Sequence, residues 1–199
     1  MKILKFCIAF SLLFTVCKGF AQVIVPSAEG IVFVNKNVTG GTADGSSWTN
    51  AVKELADALV AAHSNTGITQ IWVANGTYSP LYSPEDGNFG TNDGSNNTFL
   101  LENNVQLYGG FAGTETILSL RDSLNSNTVL DGQNKCYHVV MSIGNTGSVM
   151  LNGFIIMGGN ATGSGELVVN GQHVLQNYAG GVYNYISSLN ISNCIFIGN

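Results

Sequence analysis

Leu107-Tyr108-Gly109, Leu130-Asp131-Gly132 and Leu151-Asn152-Gly153 are three copies of one short pattern, set at nearly even intervals along the chain. An apolar residue followed two places later by glycine, at a recurrent interval, is what a stacked β-coil needs: one side chain for the interior and one residue to turn the corner. A period of roughly 20 to 25 residues is too short for a helical pair and predicts a solenoid of short strands. The decapeptide at 149–158, Val-Met-Leu-Asn-Gly-Phe-Ile-Ile-Met-Gly, also matches Leu-Asn-Ile-Ser-Asn-Cys-Ile-Phe-Ile-Gly at 189–198, a displacement that this period makes two coils. Five or six coils stacked at roughly 4.8 Å would form a rod on the order of 25 to 30 Å. Crossovers between parallel strands are overwhelmingly right-handed, so the predicted fold class is all-β, a right-handed parallel β-helix solenoid.

Working outward, Ile31-Val32-Phe33-Val34 reads as an entering strand, and glycine turns follow it up to Gly45. Val52, Leu55, Ala56 and Leu59 then fall at helical spacing. An amphipathic helix is expected at about 50–63, with Ser47, Thr49 and Asn50 as candidate caps, serving as a lid on the first coil. Coils are expected from about residue 70, with a long Pro, Gly, Asn and Asp loop at 79–97 and an irregular coil or projecting loop at 163–178. Left-handed corners suit Gly and Asn, which dominate the junctions. The repeat breaks off in mid-pattern at Asn199, which would leave an apolar coil end exposed and predicts a C-terminally incomplete domain.

At the N-terminus Lys2 and Lys5 precede an apolar run at 6–16, and Gly19-Phe20-Ala21 suits cleavage between Ala21 and Gln22. The expected organisation is therefore a signal peptide at 1–21, a short linker at 22–30 and a β-helix domain at 31–199, in an exported protein. The run is shorter than the roughly 20 residues that cross a bilayer, so no membrane span is expected after cleavage. A lipoprotein acylated at Cys17 is the alternative, disfavoured by bulky Val16 before it. Lys36, Lys53, Arg121 and Lys135 would then face twelve acidic residues, a formal charge of −8, which argues against nucleic acid as a partner. Cys136 and Cys194 lack metal or redox spacing and read either as two small hydrophobes in strands or as one disulfide.

Several stretches resemble a known group. Residues 31–48, the helix, Gln70-Ile-Trp-Val-Ala-Asn-Gly-Thr-Tyr78, Gly109-Gly-Phe-Ala-Gly-Thr-Glu115, Thr128-Val-Leu-Asp-Gly132 and Tyr137-His-Val-Val140 resemble secreted bacterial right-handed β-helix proteins of pectin-lyase-like fold. Gly180-Gly181-Val-Tyr183 followed by Phe196-Ile-Gly-Asn199 looks like the paired-glycine and FxxN repeat of chlamydial polymorphic outer membrane proteins. The resemblance implies a surface or cell-envelope location, at the outer membrane, and a part in adhesion or surface architecture. Leu107, Gly109, Leu130, Gly132, Leu151, Gly153, Gly180, Gly181, Phe196 and Asn199 are on this reading structural repeat positions.

The fold also hosts polysaccharide lyases and hydrolases, so activity has to be sought in residues. A lyase of this kind needs clustered carboxylates for calcium and a basic residue; Arg121, the chain's only arginine, reads instead as a loop residue that could pair with Asp122. An inverting hydrolase needs two carboxylates on adjacent coils, and the Asp-Asp and Gly-His-Gly motifs of those families are missing. Asp131 reads as a turn residue, and His63, His138 and His173, on helix, strand and loop, as packing or surface residues. No catalytic residue and no cofactor are expected. Glu85, Asp86, Asn88, Asn92 and Asp93 form the one candidate calcium loop, against which stands the lack of a distal Glu. Tyr78, Tyr82 and Phe89 could stack on sugar rings, although Tyr78 also suits a core. The functional expectation is a non-catalytic module for adhesion or envelope architecture, with glycans or host and cell-surface components as partners. The alternative is a polysaccharide lyase or glycoside hydrolase whose catalytic coils lie downstream.

Overall fold

The computed structural model describes residues 23–124 and 126–199; the expected signal segment, with Ala21 and Gln22, lies outside them. Strands are numbered in chain order. β1 (Ile31–Val34) opens the stack, and α1 (Leu55–Ser64) follows it. β2 (Gln70–Ala74), β3 (Gly76–Tyr78) and β4 (Phe99–Leu100) make one turn, and β5 (Gln106–Phe111), β6 (Thr128–Asp131) and β7 (Val140–Ile143) make the next. β8 (Val149–Asn152) and β9 (Ile155–Met157) lead through a hairpin, β10 (Glu166–Val169) and β11 (Gln172–Leu175), to β12 (Val182–Tyr185). β13 (Leu189–Ser192) and β14 (Ile195–Ile197) begin another turn.

Three parallel sheets result, ordered β1-β2-β5-β8-β13, β3-β6-β9-β14 and β4-β7-β12. The chain is therefore a β-solenoid of four full steps, roughly 19 Å at the usual interstrand spacing. Inward positions stack into ladders. In the first sheet Val32, Ile71, Leu107, Leu151 and Ile191 share one register position; in the second, Tyr78, Leu130, Ile156 and Phe196 do so. All but the last member of each ladder are buried, whereas Ile191 and Phe196, on the edge strands β13 and β14, are 40% and 48% exposed.

The pairing corrects the predicted period. Leu107 pairs with Leu151, and Leu151 with Ile191, so the displacement that carries 149–158 onto 189–198 is a single turn, and the stack has four steps instead of five or six coils. Leu130 sits in the second sheet, between Tyr78 and Ile156, and is no register mate of Leu107. The reason is geometric: each turn carries several strands, and the same triplet occurs in the first sheet at Leu107 and Leu151 and in the second at Leu130, so its interval does not count turns. Coils also begin at β1 and not at residue 70.

The helix begins later than expected. Val52 bridges Val34 in parallel fashion, its N–H donating to Phe33 O at 2.9 Å, and this extended pairing keeps residues 51–52 out of the helix. Asn50 instead accepts the Thr42 N–H at 3.2 Å, and the cap residue Glu54 makes no side-chain capping bond. Leu55, Ala56, Ala58, Leu59 and Ala62 are buried, and α1 packs on β1 and β4, covering the N-terminal end of the stack. In the segment expected as a linker, Ile24 packs against this core.

The stretch at 163–178 is an antiparallel hairpin, not an irregular coil. Asn170 and Gly171 both hold left-handed φ (49° and 70°), which sets a tight two-residue turn. Its Leu167, Val169 and Val174 are buried on Leu100, Met141 and Ile143, the outward residues of the third sheet, so that face is covered.

Candidate functional site

Corners consume much of the polar chemistry. Gly153 holds φ 84°, and a Cβ there would lie 2.7 Å from Arg121 Nη1; a Cβ on Gly109 would lie 2.3 Å from Gly153 O, and one on Gly132 2.5 Å from Gly158 O. Gly153 is demanded by φ as well as by contact between turns, and Gly109 and Gly132 by that contact alone. Gly180 and Gly181 stack between Gly159 and Asn199, and the Asn199 side chain donates to Ile156 O at 2.9 Å while accepting from Gly159 N–H at 3.1 Å. Phe196 fills the ladder and Asn199 ties its corner to the preceding turn, which gives the FxxN pattern a structural role.

The outward middle residues of the triplets are not free. Phe33, Trp72, Tyr108, Asn152 and Ser192 form an outer ladder on the first sheet. Trp72 stacks on Phe111 at 4.7 Å, and Trp48 Nε1–H donates to Glu115 O at 2.8 Å. Arg121 lies 5.0 Å above the Tyr108 ring and donates to Gly109 O at 2.8 Å and to Asn152 Oδ1 at 2.6 Å. Tyr108 and Asn152 are consequently buried. Burial pushes the Arg121 pKa down, but a guanidinium starts so high that it stays a cation.

Most of the candidate calcium side chains are engaged in hydrogen bonds within the protein. Asp86 accepts the Asn170 and Gly171 N–H groups at 2.6 and 2.9 Å, clamping the hairpin turn. Asp93 accepts from the Asn96 side chain at 2.9 Å, Asn92 from Gly94 N–H and the Asn97 side chain, and Asn88 from the Thr91 hydroxyl; the Glu85 N–H bonds the Ser83 hydroxyl. Among the described residues no three His, Cys, Asp or Glu side chains converge as metal ligands.

The remaining candidates serve packing. Tyr78 is fully buried, its hydroxyl donating to Ala74 O at 3.0 Å, and burial pushes its pKa up to about 12; it is core, not a sugar platform. Tyr82 donates to Asp57 Oδ1 at 2.7 Å, and Phe89 stacks on His63 at 4.1 Å. His63 Nδ1 lies 3.0 Å from Glu102 Oε1; burial pushes the Glu102 pKa up while His63 works the other way. His138 is buried and held neutral by burial, with Nδ1 at 3.1 Å from Ala179 O. His173 lies in strand β11, not a loop, 3.0 Å from Glu166. Both thiols are free and both lie outside strands, and burial pushes Cys136 up to about 11, a protonated thiol at neutral pH.

Two clefts adjoin residues singled out in the sequence, Tyr82 in one and Asn92 and Asp131 in the other. One, of about 580 Å³, runs over α1 and is largely aliphatic, with Ile24, Val52 and Val60 in its walls and Lys53, Asp57, Ser64 and Tyr82 as its polar groups. The other, of about 400 Å³, is polar and lies where the loop at 79–97 meets the corner after β6. Its polar walls include Ser79, Asn92, Ser95, Asp131, Gln133 and Lys135. Gln133 Nε2–H donates to Ser79 Oγ at 2.9 Å, joining the two walls, and Asp131 Oδ1 accepts the Gln133 N–H at 2.7 Å. Asp131, expected as a turn residue, is the last residue of β6 and caps the turn that follows with its side chain; it is the single carboxylate of this lining. Amides, hydroxyls, one carboxylate and one ammonium can exchange hydrogen bonds with a polyol. Paired carboxylates for glycoside hydrolysis are not assembled in the cleft.

No protein-family model matches the chain, and no curated protein or solved structure matches it.

Proposed function

We propose that this chain is a non-catalytic β-helix module, exported to the cell surface or envelope, that serves adhesion or surface architecture and takes glycans as ligands. The observation that carries the reading is the composition of the polar cleft: amide and hydroxyl groups around one turn-bound carboxylate, a set suited to hydroxyl recognition and lacking an acid–base pair. Export is supported by the basic, apolar and small-residue order of the segment that ends at Ala21. The likeness of residues 31–199 to pectin-lyase-like surface proteins, and of the Gly180-Gly181 and Phe196–Asn199 motifs to outer membrane repeats, supports surface display.

Binding to a neutral and acidic oligosaccharide array tests it. Retention of at least one glycan class, weakened by Gln133→Ala, is the expected result; no retention of any glycan by a folded chain would overturn the glycan part of the reading.

A further inference from the structure

We infer that Arg121 is a receptor for the carboxylate of an acidic sugar. A guanidinium carries five N–H groups. Arg121 directs Nη1 to Gly109 O at 2.8 Å and Asn152 O at 3.4 Å, and Nη2 to Asn152 Oδ1 at 2.6 Å. That leaves Nε–H and one Nη2–H, the fork with which arginine grips a carboxylate side-on. Among the described residues no acceptor bonds the Nε–H, and the half-buried Arg121 lines a surface cavity of about 440 Å³ with Leu118, Ser119 and Ser123.

The fork is also fixed in place. Tyr108 and Phe111 lie under the guanidinium at 5.0 and 6.0 Å, and three bonds anchor its inner edge, so little side-chain freedom remains to be lost on binding. One cation beside two serine hydroxyls matches one carboxylate flanked by sugar hydroxyls. A chain with twelve acidic residues and four cations beyond residue 21 repels a polyanion, which selects an isolated acidic sugar in an otherwise neutral glycan. The choice of a sugar rests on the glycan reading above; the oxyanion site rests on Arg121 alone.

Arg121 is the only arginine, so its Nε–Hε resonance is unambiguous in the full chain. Titration with a glucuronosyl-glucose disaccharide should shift that resonance saturably, cellobiose should leave it unmoved, and acetate should act about ten-fold more weakly. Arg121→Lys should weaken the disaccharide about ten-fold, and should it fail to fold, the wild-type titration decides. An unmoved resonance overturns the inference, as does equal affinity for acetate, which would mean an adventitious ion only. Glycan retention elsewhere with a silent Arg121 would sink this site and leave the adhesion reading standing. Cleavage of the disaccharide with Arg121 shifted would do the reverse.

Discussion

The carboxylate of Asp86 accepts the backbone N–H of Asn170 at 2.6 Å across 84 positions of sequence. A loop that reads as a calcium site is in this way the fastening of a hairpin that covers the outer face of the third sheet. Asp86→Ala should speed amide exchange at Asn170 and Gly171 and cost about 1 kcal/mol, the lower end for charge-assisted bonds because the group is exposed. Exchange unchanged from wild type would show that the apolar face of the hairpin suffices without the clamp.

Glu115 gives the loop after β5 a pH dependence. Burial pushes its carboxyl up, but the amides of Ala112, Thr114, Glu115 and Gly113 outweigh that and hold it below 4.5. Between the folded and unfolded values the unfolded chain binds more protons, so the stabilisation is present above pH 4.5 and is lost as pH falls through the folded value. Glu115→Gln should destabilise by about 1 kcal/mol at pH 7, allowing for solvent screening, with the difference from wild type vanishing in acid. Denaturant titration at several pH values reads it, and a difference that grows in acid would contradict the assignment.

Contact between turns predicts that Gly109→Ala is costly although its φ is ordinary. The added Cβ would lie 2.3 Å from Gly153 O, a backbone atom with little room to yield. A loss of roughly 1–3 kcal/mol is expected from chemical denaturation. Gly171→Ala meets no atom within 4 Å, and its cost should come only from left-handed φ.

Burial separates leucines that look alike in sequence. Leu151 is fully buried in the inner ladder, and Leu124 is 78% exposed. Leu151→Ala should cost about 2–5 kcal/mol, and Leu124→Ala should stay within about 0.5 kcal/mol. Similar losses at both positions would contradict the placement of the ladder.

The strands and corners were legible in sequence because alternation and glycine placement are local properties. The period was not: Leu107, Leu130 and Leu151 obey the same local rule at corners of two different sheets, and only pairing tells them apart. The Asn170-Gly171 pair, flanked by Leu167, Val169 and Val174, is a hairpin sign that the surrounding glycines and polar residues conceal. Asp86 and Arg121 find partners 84 and 31 positions away, and no spacing rule in one sequence reaches that far. Tyr78 shows the same limit, since whether an aromatic at a strand end faces sugar or core is settled by the strands beside it.

Binding without cleavage is the centre of the proposed function. Incubating the folded chain with acidic and neutral polysaccharides, while following both bound polymer and new chain ends, tests it most directly. Retention of polymer with no gain in reducing or unsaturated ends is the predicted result, and release of unsaturated ends by this chain would contradict it.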